Sequence, residues 1–241
     1  MCRWAKSDET DWDRQCGGQN GFRPCYKGGV MPVFKSGKGL APPWCELEFF
    51  EVVRLKPGET RIFERVSDRE KIIVGSGMCR IRVGPMVADA GERTNLNLPT
   101  PDGQFDVIEV LRPTTLVRMC GHWGDDIGGS GLFSVEKVAH PVEKGDPTHY
   151  EKETGIDQHY HDCDEYWIIY EGRGTAMSEG KFYDVQPGDC LAIGMGWHHD
   201  FPKVQESVKA VYFETTMEGQ KRRGHLWNHT HGRAQPKVDR V

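Results

Sequence analysis

The chain has 241 residues, 37% of them hydrophobic, with 29 Gly, 14 Pro and 7 Trp. Lys and Arg total 31 against 36 Asp and Glu, a formal net charge of −5, which argues against a phosphate-tracking surface and a nucleic-acid partner. The apolar content argues against a disordered chain, and no run approaches the roughly 20 apolar residues of a membrane-spanning helix, so no membrane partner is expected. The opening residues, Met1 to Asp8, lack the apolar core of a signal peptide, and the eight cysteines form no C-x-x-C pair. Reduced thiols and a cytoplasmic location follow as expectations.

In chain order, residues 1–43 are polar and rich in Gly and Lys, and they read as an irregular N-terminal arm. Strands are predicted over Glu48 to Leu55, Ile62-Phe63, Lys71 to Val74 and Met78 to Val83. Lys56-Pro57-Gly58-Glu59 is a turn, and Gly75-Ser76-Gly77 is a break. A strand-rich stretch runs from Phe105 to Met119, and Gly121 to Gly129 reads as a long loop. The texture then repeats. Tyr166 to Tyr170 is a strand closed by Glu171-Gly172-Arg173-Gly174, and Lys181 to Val185 and Cys190 to Ile193 flank the turn Gln186-Pro187-Gly188-Asp189. Val208 to Thr215 closes the series. Two similar stretches about 100 residues apart imply duplication. The expected division is an arm (1–43), a first unit (44–140), a second unit (141–219) and a C-terminal tail (220–241).

The segment His159-Tyr160-His161-Asp162-Cys163-Asp164-Glu165 carries the chemistry. Side chains two apart share one face of a strand, so His159 and His161 point the same way and Glu165 has the same parity. Two imidazoles and a carboxylate at one point suit one divalent transition ion (Mn, Fe, Zn or Ni; Cu also fits the donors).

Here the sequence resembles the cupin superfamily. Its first motif, G-x5-H-x-H-x3-E-x6-G, fits from the first His onward as His159, His161, Glu165 and Gly172, while the leading Gly is displaced to Gly155. The second motif, G-x5-P-x-G-x2-H-x3-N, maps onto Gly188, Gly194 in the Pro place, Gly196 and His199, with Lys203 in the Asn place. The resemblance implies an all-β protein of two antiparallel jelly-roll barrels and makes His199 the fourth ligand, with His198 a rival. Laid on Gly58, the same spacing puts Glu64 and Val66 in the His places, Glu70 in the Glu place and Gly77 at the end. The first barrel is therefore expected to be a degenerate, metal-free partner. Trp167 is expected to wall a substrate pocket, and His198 or Tyr183 to move a proton. The His-rich run Gly224 to His231 reads as a tail packed on the barrel mouth or a subunit interface, and Cys163 as a thiol that points away from the pocket or merely lines it.

Fold alone does not decide function. The leading expectation is a metalloenzyme acting on a small hydroxy- or oxo-compound by isomerase, epimerase or lyase chemistry. The alternatives are an iron dioxygenase and a non-enzymatic, metal-dependent small-molecule binder. The arm and the exposed sheet edge of such a barrel also lead to the expectation of a homodimer.

Overall fold

A computed structural model describes residues 32–37, 40–98, 104–141 and 144–241. Twelve strands run through it: β1 (Val33–Lys35), β2 (Leu47–Leu55), β3 (Arg61–Phe63), β4 (Arg69–Val83), β5 (Met86–Gly91), β6 (Asn95–Leu98), β7 (Phe105–Gly121), β8 (Ile127–Val135), β9 (Glu165–Ser178), β10 (Lys181–Val185), β11 (Asp189–Ile193) and β12 (His199–Thr216). One helical turn, α1 (Asn228–His231), follows. No helix among the described residues is long and apolar enough to cross a membrane.

All strand pairs are antiparallel, and they form two six-stranded sheets. The first has the order β2-β7-β4-β5, with β3 on β7 and β6 on β4. The second has the order β1-β11-β9-β12-β8, with β10 on β9. Long β4 and β9 occupy the same place in their sheets: β4 lies between β7 and the pair β5/β6, and β9 lies between β12 and the pair β10/β11. The register matches as well. Glu70, near the start of β4, faces Cys120 and Leu98, and Glu165, at the start of β9, faces Glu214 and Ile193. At the far ends, Val83 pairs with Phe105 and Ser178 with His199.

Why the strands carry unbroken apolar runs follows from burial on both faces. Along Trp167-Ile168-Ile169-Tyr170, Trp167 and Ile169 enter a cluster drawn from the second sheet, while Ile168 and Tyr170 enter a cluster shared by both sheets. In the first sheet Ile72 and Val74 turn to a cluster of its own, and Ile73 turns to the shared one. Polar bonds reinforce the junction. The Tyr170 hydroxyl donates to the Gly75 carbonyl at 3.1 Å, and the Glu46 amide donates to the Tyr166 hydroxyl at 3.0 Å.

Four sequence expectations differ from what is seen. Gly75-Ser76-Gly77 and Glu171 to Gly174 do not end their strands; β4 and β9 run through them with shifts of register. Gly77 (φ 83°) and Gly172 (φ 73°) are the reason: a Cβ at either would collide with the carbonyl oxygen of the neighbouring strand, Pro113 or Ser207. The glycine-rich Ile127 to Val135 is a strand rather than part of a loop, and it pairs with β12. By pairing, the change of sheet falls between Gly121 and Ile127. The arm is not wholly irregular, since Val33 to Lys35 pairs with Leu191 to Asp189 at the edge of the second sheet. Its first 31 residues lie outside the described ones.

Candidate metal centre

Four side chains from three segments meet at one end of the second sheet. His159 and His161 lie on an extended strip before β9, Glu165 opens β9 and His199 opens β12; a bridge between His159 and His199 ties strip to strand. All four are buried, and their ligand atoms lie within 4.8 Å of one another. Donors on a shell of roughly 2.0–2.3 Å around an ion stand within roughly 4.6 Å of each other, so small adjustments would seat one.

The hydrogen bonds fix the tautomers. His159 Nδ1 faces the Asp157 carbonyl at 2.8 Å, His161 Nδ1 the Gly224 carbonyl at 3.0 Å and His199 Nδ1 the Trp197 carbonyl at 2.9 Å. A carbonyl only accepts, so each Nδ1 carries the proton and each neutral ring presents an Nε2 lone pair. Yet His159 Nε2 and His199 Nε2 stand 2.9 Å apart. Glu165 Oε2 is 2.9 Å from His199 Nε2 and 3.3 Å from His161 Nε2. His161 Nε2 and Glu165 Oε2 are buried with no hydrogen-bond partner. Lone pairs this close repel unless a cation lies among them. One possibility is a proton on His161, which burial opposes and Glu165 favours, with a net upward shift. Burial and the neighbouring imidazoles push His159 well down, and burial lowers His199. Burial alone would raise Glu165, but His161 and His199 overcome it and hold the carboxyl well below its usual range. The group could hold a metal ion, and three nitrogens with one oxygen are transition-metal donors rather than the all-oxygen set of calcium or magnesium.

Strand parity decides which of the paired histidines takes part. His199 joins the cluster, and His198 faces the other way, its Nε2 2.8 Å from Asp146 Oδ2. Tyr183 is buried in the core of the second sheet and its hydroxyl donates to Glu179. Neither residue expected to move a proton stands among the four ligands. The Trp167 ring lies 5.4 Å from His199, next to Phe133 at 5.3 Å and Phe201 at 6.0 Å. Cys163 is buried beside the site, and burial, then Glu214 and Glu165, hold its thiol protonated far above the usual range.

Sequence reasoning missed Glu214 and Tyr212. Glu214 faces Glu165 across the β9–β12 pair, and its Oε1 is 3.9 Å from His161 Nδ1. Burial and the charge of Glu165 raise its carboxyl. Tyr212, two residues back on the same face, is raised by burial and then by Glu214 and Glu165. Opposite them β8 offers Gly129 and Gly131, leaving room that side chains would fill; a Cβ at Gly131 would touch the Tyr212 ring. Nothing local in Tyr212-Phe213-Glu214 signals this, because the relevant partner lies some 50 residues away. The C-terminal run Gly224 to His231 packs against the ligand strip, with Leu226 bridging Tyr160. Asp157, His159 and His225 form a second group of metal-ligand type, sharing His159 with the first.

No protein-family model matches the chain. The protein y4oW of Sinorhizobium fredii is 41% identical over 211 residues, covering 88% of this chain and 97% of that one. Among solved structures, AerE from Microcystis aeruginosa aligns with a TM-score of 0.52 at 11% identity, over 76% of this chain and 99% of that one. A variant of Bacillus subtilis oxalate decarboxylase aligns with a TM-score of 0.51 at 11% identity, over 77% and 72% of the respective chains. Likeness at this identity carries the fold alone, and that fold is a cupin fold.

Proposed function

The chain belongs to the family of the Sinorhizobium fredii protein y4oW, and we propose that it is a two-barrel cupin enzyme holding one divalent transition metal on His159, His161, Glu165 and His199, acting on a small hydroxy- or oxo-compound. One observation carries the reading: with each Nδ1 facing a backbone carbonyl, His161 and His199 set Nε2 at 3.3 and 2.9 Å from Glu165 Oε2, and His159 sets its Nε2 at 2.9 Å from that of His199. Bound there, the ion would supply Lewis-acid polarisation of a substrate oxygen. The chain's own residues do the rest. Trp167, Phe133 and Phe201 give an apolar, water-excluding wall. Glu214 and Tyr212, on the face opposite the glycines of β8, hold and move the proton in place of His198 and Tyr183. The first sheet, with Glu64, Val66 and Phe105 where the second has His159, His161 and His199, is the degenerate half.

An iron dioxygenase is the second reading, and the aromatic wall around Trp167 favours it, since it suits an apolar substrate ring. Elemental analysis of the purified protein followed by an oxygen electrode separates the two. Mn, Zn or Ni without oxygen uptake supports the first; iron with uptake on an aromatic substrate supports the second. A protein that retains no transition metal would sink both.

A further inference from the structure

Residues 159 to 165 divide two tasks between alternating side chains. His159, His161 and Glu165 turn to the metal position. Tyr160, Asp162 and Asp164 turn the other way, and each meets the chain that follows β12. Tyr160 exchanges backbone hydrogen bonds with Leu226, and its hydroxyl donates to the Gly232 carbonyl at 2.6 Å. Asp162 receives the Arg222 guanidinium on both oxygens at 2.9 and 3.0 Å, and the Arg222 backbone N–H at 3.0 Å. Asp164 receives Arg240 at 2.8 Å, and that guanidinium also donates to Glu218 at 2.6 Å. Both carboxylates are buried, at 4% and 1% exposure.

The same segment also reaches the ligand face. Gly224 provides the carbonyl that orients His161. The His225 ring lies flat on His159, centroids 3.6 Å apart and planes 4° from parallel. Asp157 holds His225 Nδ1 at 3.0 Å and accepts from Trp227 Nε1 at 2.8 Å. The strip is bridged to His199 at His159 and to Leu226 of the tail at Tyr160, and the Glu218 amide donates to the Asp162 carbonyl at 2.7 Å, so the tail supplies backbone partners to two of its residues.

We infer that residues 218–240 form a strap that positions the metal ligands, with Arg222 and His225 acting as positioning residues. The inference rests on the metal reading of His159, His161, Glu165 and His199. Groups that orient ligands in this way typically change metal affinity 10- to 100-fold when removed. Arg222 forks onto a carboxylate one residue from His161, so its loss lets that imidazole swing; His225 limits the tilt of His159.

Full-length protein stripped of metal is titrated with Zn2+ against a chelator and with Co2+, whose visible absorption reports ligand geometry. Arg222→Ala is expected to weaken Zn2+ binding about 10- to 100-fold and to shift the Co2+ bands, with Arg222→Lys partly restoring both. His225→Ala, at a half-exposed position that leaves folding intact, is expected to weaken Zn2+ binding about tenfold with a smaller spectral change. If both variants keep wild-type affinity and spectrum, and Arg222→Ala only melts earlier, the strap is structural and the inference falls. A wild-type protein that binds neither ion instead overturns the metal reading beneath it.

Discussion

The two sheets set matching strands in matching register, and they treat the same position in opposite ways. In the second, the carboxylate that opens the long central strand, Glu165, lies with His159, His161 and His199 in a buried group that could hold a metal ion. In the first, the corresponding Glu70 already has one. Arg118 donates from Nε at 3.0 Å and from a terminal nitrogen at 2.8 Å to Glu70, bonds Glu51 at 3.0 Å, and reaches the Glu64 carbonyl. Its guanidinium lies 5.5 Å from the Phe63 ring and 5.4 Å from Phe105, the residue that stands where the second sheet has His199. Arg118 comes from β7 at the register place of Tyr212 in β12. Two matching sheets thus place a buried carboxylate at the same register position, paired in the first with the Arg118 guanidinium and set in the second among imidazoles that could hold an ion.

The comparison breaks most visibly at the ligands. His161→Ala is expected to take bound metal, measured by elemental analysis, from one equivalent per chain to near zero, while His229→Ala leaves it at one. Two equivalents in the wild type would show that the first half also loads metal. Next in size is the internal cation. Arg118→Ala leaves buried Glu70 with the more distant Arg65 guanidinium at 3.9 Å and the Val66 amide, and should lower unfolding free energy by about 3 kcal/mol in urea titration, with metal content of the folded protein unchanged. A loss below about 1 kcal/mol would mean that Arg118 does not carry the charge balance of its half. The shared frame is tested by Gly77→Ala and Gly172→Ala. Both positions combine positive φ with a backbone carbonyl in the Cβ place, so each should cost more than about 1 kcal/mol, and the two costs should be similar. Tolerance of one but not the other would undo the claim of equivalence. The smallest effect is a null one. Val66→His restores an imidazole to the first half, yet metal content should stay at one equivalent because Arg118 still neutralises Glu70.

Local pattern explains how much of this could be read from the sequence. The H-x-H-x3-E spacing works because β periodicity turns alternate residues to one face, and the structure brings those three together with His199. The positions of Gly77 and Gly172, each seven residues after its glutamate, were legible for the same reason, although their role as kinks within a continuous strand was not. Elements whose meaning depends on a distant partner stayed hidden. β8 looks like a loop because Gly128, Gly129 and Gly131 have no side chains to show alternation, and only β12 makes it a strand. β1 is three residues long and owes its conformation to β11. Arg118 carries no local signal, and it becomes the counter-charge of Glu70 only once β4 and β7 are paired. The partners of the tail histidines were equally hidden, since Asp146 engages His229 and Asp157 engages His225 from positions 83 and 68 residues earlier.

The strap has a consequence for the order of events during synthesis. Asp162 waits for a partner 60 residues further along, and Asp164 for one 76 residues further along. At the usual ribosomal pace of about 5–20 residues per second, the nascent ligand strip would spend on the order of 4–15 s without its second arginine. The first sheet, contiguous from Leu47 to Gly121, can by contrast close while the rest is still being translated. Metal arriving early would meet loose imidazoles, and metal arriving late would meet a finished cage. On the metal reading, loading is a matter of timing as much as of affinity, and the sheet whose buried carboxylate Arg118 already pairs is the one that is ready first.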